Sequence, residues 1–98
     1  MLNAKQRQFL KGLAHALSPV VRVGKGGLSD SVIDETRRSL DAHELIKVRI
    51  DVEDASSRRG LANELARAAG AEIAGVIGKI AILYRARDEN PKIELPRL

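Results

Sequence analysis

The residues best suited to chemistry lie in VVRVGKGGLSDSV, Val20 to Val32, where Gly24, Lys25, Gly26 and Gly27 separate a β-branched run from a polar helix start. Backbone N–H groups of Lys25, Gly26, Gly27 and Leu28, with the N-terminus of the following helix, can offer donors to a phosphate. Lys25 adds a positive charge. The same glycines suit a strand-to-helix turn that needs positive φ at one or two positions, and the four residues alone leave both readings open. The chain lacks G-x-x-x-x-G-K-[ST], so a Walker-type site is not supported. A dinucleotide fingerprint matches at Gly24 and Gly26 but has Ser29 in its third place. Asp51 stands where a ribose-binding acid would, yet a chain this short offers too little sheet for a dinucleotide.

Other chemistries find no residues to carry them. The absence of cysteine excludes disulfides, thiolate metal sites and cysteine nucleophiles. His15 and His43 are separated by a helix and a loop, with no triad or metal cluster around them. His43 suits the carboxyl end of a helix, and His15 extends a stripe with Arg7 and Lys11 at four-residue spacing. Asp51, Glu53 and Asp54 read as acids at a helix start rather than as metal ligands. No catalytic residue, metal or cofactor is expected. The net charge of +4 favours an anionic partner, and with Phe9 and Tyr84 as the only aromatics, recognition by stacking bases on an aromatic platform has little to work with.

The elements that must position these residues follow from periodicity. Asn3 suits the N-cap of a first helix whose Phe9, Leu10, Leu13, Ala14 and Leu17 form one apolar stripe, and Ser18-Pro19 ends it. Val20 to Val23 form a short strand. Ser29 or Asp30 caps a second helix with Val32, Ile33, Thr36 and Leu40 facing inward and Asp34 spaced to pair with Arg38. LIKVRIDV alternates as a strand, with Ile46, Val48, Ile50 and Val52 on the core face and Lys47, Arg49 and Asp51 on a wet or charged one. A third helix runs through Leu61, Leu65, Ala68 and Ala69 to Gly70. EIAGVI and IAILYR form a hairpin through Gly78-Lys79, with the glycine-first pattern of a type II′ turn, and Tyr84 alternates with Ile80 and Ile82. The expected fold is a single-domain α/β sandwich, residues 1–86, in the order α-β-α-β-α-β-β with a four-stranded mixed sheet; residues 87–98 are expected to be an extended, flexible tail. Strand order stays open.

Strands joined through a helix are normally parallel, so the loops after the first two strands share one edge. If the third strand points the same way, Gly78-Lys79 joins them. The first helix is expected to run back along the sheet and bring Lys5 and Arg7 to that edge, completing a basic rim with Lys25, Arg58, Arg59 and Lys79 diluted by Glu53 and Asp54. Ligands of open α/β sheets bind at this edge.

With those residues in view, VRVGKGGLSDSVIDETRRSLDAHELIKVRI and GAEIAGVIGKIAILYR resemble the CRM domain (chloroplast RNA splicing and ribosome maturation), specifically its free-standing bacterial YhbY-like members. The likeness runs from KQRQFLKGLAHALSPVVRVG through LYR. It is most specific at Gly24 to Gly27, at HELIKVR and at VIGKIAILYR. It implies a sandwich like the C-terminal domain of translation initiation factor three, and a non-enzymatic RNA-binding protein associated with precursors of the large ribosomal subunit. The implied G-x-x-G loop is analogous to that of KH domains, which clamps the nucleic-acid backbone. Gly24, Lys25, Gly26 and Gly27 are then the expected RNA contacts, with Arg58, Arg59 and Lys79, and after them Lys5, Arg7 and Lys11, as further basic contacts. The extra small residue, Gly26, departs slightly from the family pattern. A monomeric cytoplasmic protein without membrane association is expected. The alternatives are a module that docks on a ribosomal protein, the glycine loop being only a turn, and a small mononucleotide binder.

Overall fold

The computed structural model describes residues 1–97; Leu98, the last residue of the expected tail, lies outside the described residues. The elements are α1 (Ala4–Ala14), β1 (Pro19–Val23), α2 (Asp30–His43), β2 (Leu45–Ile50), α3 (Ala55–Ala69), β3 (Glu72–Ile77) and β4 (Ile80–Tyr84), in the expected order. Each helix starts at a side-chain cap. Asn3 and Gln6 form a reciprocal capping box, Ser29 Oγ accepts from Val32 N, and Asp54 accepts from Ser57 N. Gly70 ends α3 at φ +69°.

The sheet order is β1-β2-β4-β3. β1 and β2 are parallel, and β4 runs antiparallel to both β2 and β3. β3 therefore points the same way as β1 and β2 although β4 lies between them. Gly78, at φ +58°, turns the β3–β4 hairpin, and Lys79 stays out of the positive-φ region, as a type II′ turn requires.

Alternation along the strands builds two cores. Val21, Val23, Ile46, Val48, Ile50, Ala81 and Leu83 face α2 and α3, whose Leu40, Ala62, Leu65, Ala66 and Ala69 close over them. On the opposite face Leu10 and Ala14 of α1 pack with Leu45, Ala74, Ile82 and Tyr84, and Ile93 and Leu95 of the C-terminal segment lie against this cluster. The result is a three-layer sandwich whose α1 layer covers only part of the sheet: α1 packs on β3, β4 and β2 and scarcely meets β1.

Several local expectations need correction. α1 ends at Ala14, and of its expected stripe only Leu10 and Ala14 are buried; Phe9, Leu13 and Leu17 stay exposed because α1 does not extend over β1. Asp34 pairs with Arg37 at 4.0 Å, one turn position nearer than Arg38. β2 stops at Ile50, short of the expected Asp51-Val52; the N–H of Asp51 still donates to Val23 O of β1 at 2.8 Å, the last bond on the parallel β1–β2 side.

Residues 85–97 have no regular structure, yet they are tied down. Glu44, fully buried at φ +63°, accepts the backbone N–H of Arg87 (2.9 Å) on one carboxylate oxygen and those of Lys92 (2.6 Å) and Ile93 (2.9 Å) on the other. Its own N–H donates to Leu40 O, and its carbonyl accepts from Arg85 N. Burial pushes this carboxyl's pKa up, but the three N–H donors and the Arg87 guanidinium outweigh it, so the net displacement is downward.

Candidate nucleic-acid interface

The edge at which β1, β2 and β3 end is stitched together from three loops. Gly27 N donates to Gly24 O at 3.1 Å, closing a tight turn over Gly24 to Gly27. Ile50 N donates to Lys79 O at 2.7 Å, and Asp51 N to Val23 O, so the hairpin turn and the end of β1 both attach to the end of β2. The expectation that Gly78-Lys79 shares an edge with the glycine loop holds.

Within the turn, only Gly27 adopts positive φ, at +75°. Gly24 and Gly26 lie outside that region, and a Cβ built on either meets no atom within 4 Å. Neither conformation nor internal crowding demands glycine at these two positions. What the missing side chains leave is bare, exposed backbone on the outside of the turn. Lys25 stands exposed between them and makes no ion pair among the described residues. Beyond Leu28, Ser29 caps α2, and its carbonyl accepts the first helical bond from Ile33 N at 3.1 Å. The carboxylate of Asp30 in the first turn of α2 opposes an incoming anion.

The remaining expected contacts fall into three groups. Arg58 and Lys79 are at the loop edge but are engaged in holding it. The Arg58 guanidinium donates to Gly78 O (3.0 Å), Val52 O (2.7 Å) and Glu53 O (2.6 Å), and Lys79 Nζ bonds Glu53 Oε1 at 2.9 Å. Lys79 holds the exposed Glu53 carboxyl below its ordinary range. Asp54 caps α3 as expected of an acid before a helix, and Ser57 lowers its pKa; Asp51 and Glu53 instead neutralise cations.

Arg59 turns away from the loop. It lines a hollow of about 330 Å³ at the β3 edge together with Arg7, Lys11, Asn63, Ala74 and Gly75. A Cβ on Gly75 would come within 2.6 Å of Lys11 Cε, so this glycine gives Lys11 passage across the strand. Arg7 also donates to Leu2 O at 2.7 Å.

Lys5 and Arg7 do not reach the loop edge, contrary to the sequence reading. Leu2 N donates to Glu72 Oε1 at 2.8 Å, which sets the start of α1 where β3 begins, at the opposite edge; past the helix, Leu17 O accepts from Lys47 Nζ on β2. α1 crosses the sheet from β3 toward β2 instead of running back along β1.

Three cations that the sequence reading did not single out lie on the uncovered part of the same face: Arg22 of β1 and Lys47 and Arg49 of β2. The alternation of LIKVRIDV carried the signal for the two on β2. Asp51 accepts from Arg49 Nε at 2.7 Å and also from Arg22 Nε, and these bonds hold its pKa below the usual carboxylate range. Among the described residues no group of acids and histidines is arranged to hold a metal ion, and no helix is long and apolar enough to cross a membrane.

Comparison with known proteins agrees with this architecture. The chain is 45% identical over 96 residues to an RNA-binding protein of Haemophilus influenzae, covering 98% of this chain and 96% of that one. It is 38% identical over 96 residues to the probable RNA-binding protein YqeI of Bacillus subtilis, covering 98% and 100%. The solution structure of SAV1595 from Staphylococcus aureus, a protein proposed to bind RNA, superposes with a TM-score of 0.88 at 38% identity and covers 98% of this chain and all of that one. The model of the CRS1 / YhbY (CRM) domain matches residues 2–85, and the chain belongs to that family.

Proposed function

We propose that this protein binds RNA without catalysing a reaction, gripping the sugar-phosphate backbone at the Gly24 to Gly27 turn, and that it acts on precursors of the large ribosomal subunit in the cytoplasm as a monomer. The observation that carries the reading is the pair Gly24 and Gly26. Both are glycines that the fold does not need, and they flank an exposed Lys25 that makes no ion pair among the described residues, with backbone open to an approaching strand. The RNA-binding names of the relatives point the same way. Arg58 and Lys79 serve mainly to hold the loop edge, and their remaining N–H groups add to its positive field. Arg59, Arg7 and Lys11 offer a second phosphate contact at the β3 edge, with Lys5 beside them in α1.

The test is RNA binding by the wild type and by the Lys25→Asp/Gly26→Asp double variant, using a large-subunit ribosomal RNA fragment over a range of salt concentrations. A variant that stays folded by circular dichroism should lose affinity, and its log-log salt slope should shrink. Unchanged binding would reduce the loop to a turn.

One observation favours a second reading, docking on a ribosomal protein. Leu13, Leu17, Val20 and Ile93 line an apolar groove of about 460 Å³, and the first three are 39–45% exposed. Binding to ribosomal particles that ignores both salt and loop charge would select it.

A further inference from the structure

The uncovered strip of sheet on β1 and β2 carries a charge arrangement that folding does not ask for. Arg22 and Arg49 are direct register partners on adjacent parallel strands and project from the same face. Like charges set directly opposite each other destabilise a sheet. One carboxylate, Asp51, is shared between the two guanidiniums, which leaves the trio with net positive charge. The Arg side chains stay 69% and 43% exposed, and Lys47, two residues before Arg49, donates to the Leu17 carbonyl and makes no ion pair among the described residues. Among the described residues no helix covers this strip, because α1 packs on β3, β4 and only the Leu45 end of β2.

We infer that Arg22, Lys47 and Arg49 form a further contact for the RNA backbone, separate from the β3-edge cations, a track along the open β1–β2 face that continues from the glycine loop. This rests on the RNA-binding reading above. Arg22 lies two residues before Gly24, so one strand can meet the turn and the track together. Lys47 and Arg49 stand about 6.6 Å apart along β2, a step of the order that separates successive phosphates of a nucleic-acid chain. Glu35 of α2, at the rim of the hollow beside Arg22 and Arg49, limits the track on the outer side of β1. The strip has no aromatic ring, so it recognises phosphates and shape rather than stacked bases. Asp51 acts as its resident counter-ion: a phosphate arriving at Arg22 and Arg49 competes with this carboxylate.

Binding of a large-subunit ribosomal RNA fragment, measured against salt, tests the track with four variants. Arg22→Gln/Arg49→Gln should weaken binding about tenfold at low salt and reduce the salt slope by about two. Asp51→Asn, which frees both guanidiniums, should tighten binding about threefold, whereas Glu64→Gln, the same change of net charge at an exposed position on α3, should not. The loop variant Lys25→Asp/Gly26→Asp serves as the reference. If the loop variant loses affinity while Arg22→Gln/Arg49→Gln binds as the wild type does, the track is overturned and the loop reading stands. If the wild type binds no RNA, both fall together. Should the arginine variant fail to fold, Asp51→Asn decides: equal effects of Asp51→Asn and Glu64→Gln overturn the track.

Discussion

The carboxylate of Glu44 accepts the backbone N–H of Lys92 at 2.6 Å, joining the end of α2 to a residue 48 positions later in the chain. With the N–H groups of Arg87 and Ile93 on the same carboxylate, this bond fastens the C-terminal segment, and Ile93 and Leu95 then complete the core beneath α1. A buried acid with all of its partners drawn from the backbone is strongly position-specific. Glu44→Ala should destabilise the protein by about 2–4 kcal/mol, read as a shift in the midpoint of urea unfolding. It should also open the amides of Lys92 and Ile93 to hydrogen exchange. Exchange at those amides as slow as in the wild type would show that the clamp does not hold the segment.

The same residue sets a pH dependence. Its folded pKa lies below the ordinary 4.5, so the folded state holds fewer protons there than the unfolded one. Its stabilisation is fully present above about pH 4.5 and fades as the pH falls through the lowered folded value. Unfolding midpoints taken between pH 6 and pH 3 should fall less steeply for Glu44→Gln than for the wild type. Parallel curves would assign the acid sensitivity to Asp51, Glu53 and Asp54, which are also lowered.

Single alanine substitutions in the loop should separate folding from binding. Gly27→Ala forces a side chain into φ +75° and should cost about 1 kcal/mol of stability. Gly24→Ala and Gly26→Ala meet open space at ordinary φ and should be neutral or slightly stabilising, while reducing RNA affinity by crowding the bare backbone. Thermal unfolding and RNA titration of the three proteins check both halves.

Arg58 should behave as a structural residue first. Its guanidinium joins the β3–β4 turn to the loop before α3 through three carbonyls, so Arg58→Ala should cost about 1–3 kcal/mol in denaturant unfolding. Arg59→Ala, exposed and without an ion pair among the described residues, should leave stability within about 0.5 kcal/mol. Equal losses for both would contradict the division of roles drawn from the hydrogen bonds.

Gly75→Ala tests the passage of Lys11. The added Cβ displaces the far end of a flexible side chain, so the folding free energy should change by less than about 1 kcal/mol. RNA affinity should drop to the level of Lys11→Ala if Lys11 contacts the strand from this position.

What the sequence determined by itself was local. Asn3, Ser29 and Asp54 announce helix starts, Gly70 a helix end and Gly78-Lys79 a hairpin, because caps and turns depend on neighbouring backbone and side-chain chemistry within a few residues. The alternation of LIKVRIDV marked the core face of β2 for the same reason, and the Gly24 to Gly27 turn was visible as a site because its residues are consecutive. Tertiary structure decided what depends on distant partners. Placing β4 between β2 and β3 is a matter of inter-strand hydrogen bonding. Anchoring the start of α1 at Glu72 turns that helix across the sheet, carrying Lys5 and Arg7 away from the loop and leaving Arg22, Lys47 and Arg49 uncovered. Arg58 and Arg59 are neighbours in sequence, yet one is tied into the loop edge and the other lines the β3 hollow, because successive helix positions point about 100° apart. Glu44 looks in sequence like one more surface acid; only the returning C-terminal segment, with N–H groups 43 to 49 residues away, makes it the buried clamp of the fold.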